Sequence, residues 1–103
     1  MRFEVRFSVA AADDLERLFD FLLERAKTVE DLDLAQSAIE TVRSAVENLV
    51  AATPYSFRKA GKSPTRRELI VPFGATGYVM LDEIEASRVL VLAVRHQREE
   101  DYH

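Results

Sequence analysis

Phe3, Val5 and Phe7 alternate with Arg2, Glu4 and Arg6, and this period of two predicts a strand over residues 3–7 with one buried face. The period then lengthens. After Ser8, the residues Leu15, Leu18, Phe19, Leu22 and Ala26 recur at helical spacing, so a helix is expected over roughly 11–26. Asp13 and Asp14 fall in its expected first turn, where the helix dipole favours acids. Thr28-Val29-Glu30-Asp31 has the polar-x-x-acid form of a capping box and marks the break between two helices at Lys27–Thr28. Beyond it Leu34 or Ala35, Ala38, Ile39, Val42, Ala45 or Val46, and Leu49 form a second apolar stripe. So short a connection makes the helices antiparallel neighbours. Thr53-Pro54 ends the second helix, because a residue before proline is driven out of helical geometry. The stretch to Pro64, with Pro54 and Gly61, reads as loop.

Three further strands are predicted at 67–71, 77–84 and 88–96. Val89-Leu90-Val91-Leu92-Ala93-Val94 is apolar throughout, which implies burial on both faces and an interior place in the sheet. The turns at 72–74 and 85–87 are short enough for hairpins, so these strands should form an antiparallel meander. The predicted order is β-α-α-β-β-β: an α+β fold in which a helical hairpin covers one face of an antiparallel sheet and leaves the other at least partly free. At 103 residues the chain suits one domain spanning 1–103.

Composition narrows the function classes. With 48% apolar and 31% charged residues the balance is that of a globular protein. No cysteine is present, which excludes disulfides, thiolate metal sites and a cysteine nucleophile, and fits a cytoplasmic location. The alternating start is unlike a signal peptide, and no apolar run approaches membrane-spanning length. Residues 1–52 hold 6 basic and 11 acidic side chains, and residues 53–103 hold 8 and 7, so the halves stand at −5 and +1 within a net charge of −4. That total disfavours a protein that coats nucleic acid. The positive charge concentrates in Arg58, Lys59, Lys62, Arg66 and Arg67, with no acid between them along the chain. This segment is either a solvated loop or a surface for a phosphate or acidic partner.

Few residues can carry chemistry. Gly74-Ala75-Thr76-Gly77 lacks the following helix and Gly-Lys-Thr pattern of a phosphate-binding loop. No serine lies in a Gly-x-Ser-x-Gly context. The two histidines, His96 and His103, have no ligand partner at helical spacing, so a metal site has little material. The acid runs Asp13-Asp14 and Glu99-Glu100-Asp101 are explained by a helix start and a solvated tail. His96 directly follows the apolar strand, and histidine is the side-chain type most used for proton transfer. Arg95 and Arg98 beside it suit a phosphate or the charge that develops when a ribose hydroxyl attacks one. Tyr102 can donate a phenolic proton or stack on a base. Pairing of the arginines with Glu99, Glu100 and Asp101 would instead make the same segment an ordinary charged surface. Residue types alone leave both readings open.

The sequences Arg67-Glu68-Leu69-Ile70-Val71-Pro72-Phe73, Gly77-Tyr78-Val79-Met80-Leu81 and Val89-Leu90-Val91-Leu92-Ala93-Val94-Arg95-His96-Gln97-Arg98-Glu99 resemble the last strands and tail of the RelE/ParE superfamily, the toxins of type II toxin–antitoxin modules. The resemblance spans essentially the whole chain. It implies no cofactor, and it implies a cognate antitoxin that folds onto the toxin as a hetero-oligomer. Two activities occur in the superfamily: RelE-like members cut messenger RNA on the ribosome, whereas ParE-like members poison DNA gyrase without cleaving anything themselves. Val79 stands where the RelE-like pattern commonly has an arginine. The chain is acidic where those nucleases are usually basic, and His96 to Tyr102 is about one residue longer than their usual ending. The resemblance is therefore closer to ParE-like members. It implies a gyrase-binding toxin with Arg58, Lys59, Lys62, Arg66, Arg67, Arg95, His96 and Arg98 as candidate contacts. The alternatives are a ribosome-dependent endoribonuclease, with His96 as acid/base, Arg67, Arg95 and Arg98 on the phosphate and Tyr102 assisting, or a toxin fold that persists only as a binding protein.

Overall fold

The computed structural model describes residues 2–73 and 76–98. Its elements are β1 (Glu4–Phe7), α1 (Val9–Arg25), α2 (Val29–Ala45), β2 (Arg58–Lys59), β3 (Arg66–Phe73), β4 (Thr76–Glu85) and β5 (Arg88–His96). A π-helical turn, Val46–Val50, extends α2, and a 3-10 turn, Pro54–Ser56, opens the loop before β2. The sheet has five strands in the order β1-β5-β4-β3-β2.

The meander from β3 to β5 is antiparallel as expected, but β1 lies parallel to β5, with Val5 opposite Val89 and Phe7 opposite Val91. The sheet is therefore mixed rather than antiparallel. Alternation in residues 3–7 reports that one face packs on the core, where Phe3, Val5 and Phe7 are half-buried; it carries no information about the direction of a neighbour that lies at the far end of the chain. The loop read as irregular contributes β2, which pairs Arg58 with Glu68 and Lys59 with Arg67. Gly61 turns the chain there with a positive φ of 65°.

Helix α1 starts earlier than the spacing predicts, because Ser8 caps it: its Oγ accepts from the Ala11 N–H at 3.0 Å and donates to the Leu92 carbonyl at 3.1 Å. Leu92 is the extra residue of a bulge, since Leu81 pairs with Ala93 but Asp82 pairs with Val91. The early start moves Asp13 and Asp14 out of the first turn, which contains no acid. Asp14 is buried and accepts the Val94 N–H at 2.9 Å, satisfying an amide of β5 beyond the last register partner that β1 supplies. It is thus a strand-end cap and not a solvated helix-start acid.

The Thr28 capping box is present: its side chain accepts from the Asp31 N–H, and Asp31 accepts from the Lys27 N–H. The buried stripe of α2 runs through Ala35, Ala38, Val42 and Ala45 and continues as Val46 and Val50. Of Leu34 and Ala35, the alternatives for the start of this stripe, Ala35 is the buried one; Leu49, expected inside, is exposed. The wider π turn rotates the frame so that Val50, and not Leu49, faces the sheet. Between helices and sheet the core packs Leu18, Val42, Leu69, Val71, Met80, Ile84, Val89 and Val91. In β5, Val89, Val91, Ala93 and Val94 are buried while Leu90 and Leu92 are half-buried, so the strand is interior but its second face is incompletely covered. Ile70, 38% exposed on that face, shows the same opening.

Candidate functional site

An open cleft of about 780 Å³ lies between α1 and the end of the sheet where β3, β4 and β5 meet. Helical spacing brings Arg17, Phe21 and Arg25 of α1 to one side, with Leu18 and Leu22 beside them and Leu34 of α2 closing that wall. The opposite wall is Phe73, Tyr78, His96 and Arg98. The Arg25 guanidinium sits 4.5 Å from the centre of the Phe21 ring, an attraction between cation and ring face that steadies both. Tyr78 links the aromatic wall: its ring centre is 6.3 Å from that of Phe73 and 5.6 Å, edge-on, from that of His96. Burial raises the Tyr78 phenol above its ordinary value, so it remains neutral at physiological pH.

Register explains why His96 belongs to this cleft. It stands opposite Tyr78 on β4, whereas its neighbour Arg95 stands opposite Val79, and successive residues of a strand point to opposite faces. The Arg98 N–H donates to His96 Nδ1 at 3.2 Å. A ring nitrogen that accepts carries no hydrogen, so the neutral imidazole holds its proton on Nε2.

The remaining sequence candidates occupy other places. Arg95 lies on the face away from the helices and donates to the carbonyls of His96 and Gln97. Arg67 stands opposite Asp82, four residues along β4 from Tyr78, about 13 Å away at the usual strand rise. Its guanidinium is buried, donates to the Phe57 and Pro64 carbonyls at 3.3 and 2.9 Å, and lies 5.3 Å from the Tyr55 ring centre. Arg66 pairs with Glu83 at 3.1 Å and Arg58 pairs with Glu68. The basic segment therefore has compensating acids, supplied across the ladder by β3 and β4 and invisible in the linear run. Lys59 and Lys62 are exposed and make no ion pair among the described residues. Tyr102, like the rest of the 99–103 tail, lies outside the described residues. Of the nuclease set, His96 and Arg98 share the cleft; Arg67 and Arg95 do not.

The sequence reading missed Arg17, Phe21 and Arg25. Their spacing of four was visible, but an arginine–phenylalanine–arginine row on a helix does not announce whether it faces water or a neighbouring strand. It also missed Asp82, which falls in phase with Met80 and Ile84 and is 1% exposed. Among the described residues no group of acids and histidines is arranged to hold a metal ion, and no helix is long and apolar enough to cross a membrane.

Residues 5–101 match the family described as the ParE toxin of the type II toxin–antitoxin system parDE. The chain belongs to that family. Within the wider RelE/ParE superfamily it is 34% identical to Toxin RelE3 of Caulobacter vibrioides over 92% of this chain and 95% of that one. It is also 34% identical to Toxin RelE1 of the same organism, over 97% and 99%. Solved structures share the fold. The chromosomal ParDE system from P. aeruginosa superposes with a TM-score of 0.70 at 14% identity, covering 92% of this chain and 96% of that one. The RelBE2 toxin–antitoxin complex of Mycobacterium tuberculosis gives 0.63 at 17%, covering 93% and 99%. The chain is thus a type II toxin with the mixed-sheet fold of ParE and RelE proteins.

Proposed function

We propose that this toxin acts by binding DNA gyrase and stabilising its cleaved-DNA state, and that a cognate antitoxin neutralises it. The observation that carries the reading is the dispersal of the nuclease candidates. A phosphate held for in-line attack needs its cationic ligands and its acid/base within hydrogen-bond reach of one another. Arg95 is on the wrong face for His96, and Arg67 is engaged with two loop carbonyls. Binding requires only a surface, and the cleft supplies one in which apolar and aromatic side chains are flanked by cations. The same cleft is the proposed seat of an antitoxin segment carrying apolar residues between acids; the ParDE and RelBE2 neighbours were solved as toxin–antitoxin systems.

The second reading, a ribosome-dependent ribonuclease, draws on a specific feature of the same cleft: Arg17, Arg25 and Arg98 line it together with His96 and with aromatic side chains that suit bases. Purified toxin with gyrase and plasmid DNA decides between them. Gyrase poisoning yields linear, protein-linked plasmid. Cut messages on ribosomes, lost in His96→Ala, with no effect on gyrase, would overturn the proposal.

A further inference from the structure

Asp82 and Arg67 are each incompletely satisfied, and each holds what the other lacks. Asp82 is 1% exposed, and neither carboxyl oxygen has a hydrogen-bond partner. Arg67, its register partner on β3, has a buried Nε–H without an acceptor. Directly opposed side chains of an antiparallel pair lie about 5 Å apart at Cβ, well within the reach of an arginine. The guanidinium nevertheless extends away from Asp82, toward the loop, where its terminal nitrogens donate to the Phe57 and Pro64 carbonyls and its plane lies over Tyr55.

Among the described residues no other charge competes for Asp82. On the far ladder it meets Val91. The buried residues of α2 and its π turn, Ala35, Ala38, Val42, Ala45, Val46 and Val50, are all apolar. Asp14 on α1 is bonded to the Val94 amide. Glu83, next in sequence, projects to the opposite face and pairs with Arg66 and Thr65. A carboxyl with no donor in such surroundings holds its proton, because an isolated buried carboxylate is very costly. This burial raises the pKa of the Asp82 carboxyl.

We propose that Arg67 and Asp82 form a two-position latch. With Asp82 protonated, Arg67 ties residues 54–65 to the sheet through the two carbonyls; loss of that proton to solvent draws the guanidinium onto the carboxylate and removes both ties, loosening the segment that displays Lys59 and Lys62, which then depends on the short β2–β3 ladder. A charged pair forms in the core at the expense of two neutral acceptors, and hydrogen bonds between charged partners are the stronger kind. The cationic segment is then held more firmly at mildly acidic pH and more loosely at alkaline pH. The inference is independent of whether gyrase or the ribosome is the target.

The full-length toxin tests it. The Asp82 carboxyl carbon is followed by NMR from pH 5.5 to 8.5, alongside hydrogen-exchange protection of the loop, read at the Ala60 amide that bonds the Arg66 carbonyl. The expected result is a carboxyl titration centred near neutrality with a fall of about tenfold in Ala60 protection between pH 6 and 8, as the protonated fraction falls by a similar factor. Asp82→Asn should hold the protection constant. A carboxyl that titrates below pH 5, or titrates near neutrality while Ala60 protection stays level, overturns the latch. Should Asp82→Asn not fold, the two wild-type midpoints decide: coincidence supports the latch and separation refutes it.

Discussion

Asp82 makes the pH dependence of this toxin's stability unusual, in a direction that can be worked out. Burial without a donor pushes its carboxyl up to about 7 from 3.8. A group whose folded-state pKa is raised binds its proton more tightly when folded, so between these two values folding takes up a proton. Stability from this group is therefore full below pH 3.8 and declines as pH rises toward 7. A gap of about three pH units at 1.36 kcal/mol each bounds the decline at about 4 kcal/mol, and water reaching the carboxylate reduces this to about 2–4. Urea unfolding of the wild type and Asp82→Asn, measured at pH 4.5, 6 and 7.5, isolates the effect. Glu83 contributes the opposite slope, since its hydrogen bond from Thr65 and its pairing with Arg66 hold its carboxyl below the usual range. That contribution exists above its unfolded-state pKa and disappears as pH falls through the folded value; being common to both proteins, it cancels in the difference. The variant should gain stability relative to wild type by a margin that grows with pH. A margin that stays level from pH 4.5 to 7.5 would refute the reasoning, because it would mean that Asp82 ionises as readily in the folded protein as in the unfolded one.

Gly77→Ala should destabilise by at least about 2 kcal/mol by overpacking, since an added Cβ collides with the Val71 carbonyl oxygen and lies 3.1 Å from Pro72 Cα; thermal unfolding checks it. Ser8→Ala removes the cap of α1 and the bond to the bulge carbonyl of Leu92, with an expected loss of about 1–2 kcal/mol in urea unfolding. Arg25→Glu reverses a cation at the cleft mouth and should weaken antitoxin binding by about tenfold or more in calorimetry, whereas Lys27→Glu, outside the cleft, should leave it little changed.

Much of this toxin is written locally. Alternation in residues 3–7, the two helical stripes, the Thr28 capping box, the proline at 54 and the apolar run 89–94 specify the elements and one core, because period and capping act over a few residues. The ending Arg95-His96-Gln97-Arg98 carried the family for the same reason, being a contiguous string. What the tertiary structure alone decided involves partners distant in sequence. β1 aligns parallel with β5 across the whole chain. Glu68 and Glu83 neutralise a basic segment that looked uncompensated. Asp14 leaves its helix-start role to cap β5, and the π turn replaces Leu49 by Val50 in the core. The cleft itself is of this kind, since Arg17, Phe21 and Arg25 become neighbours of Tyr78, His96 and Arg98 only when the helix docks. A strand's alternation does reveal that Arg95 and His96 must part to opposite faces; which face meets α1 is settled by the packing of the core, where burying Val89, Val91 and Val94 against the helices leaves Arg95 on the other side.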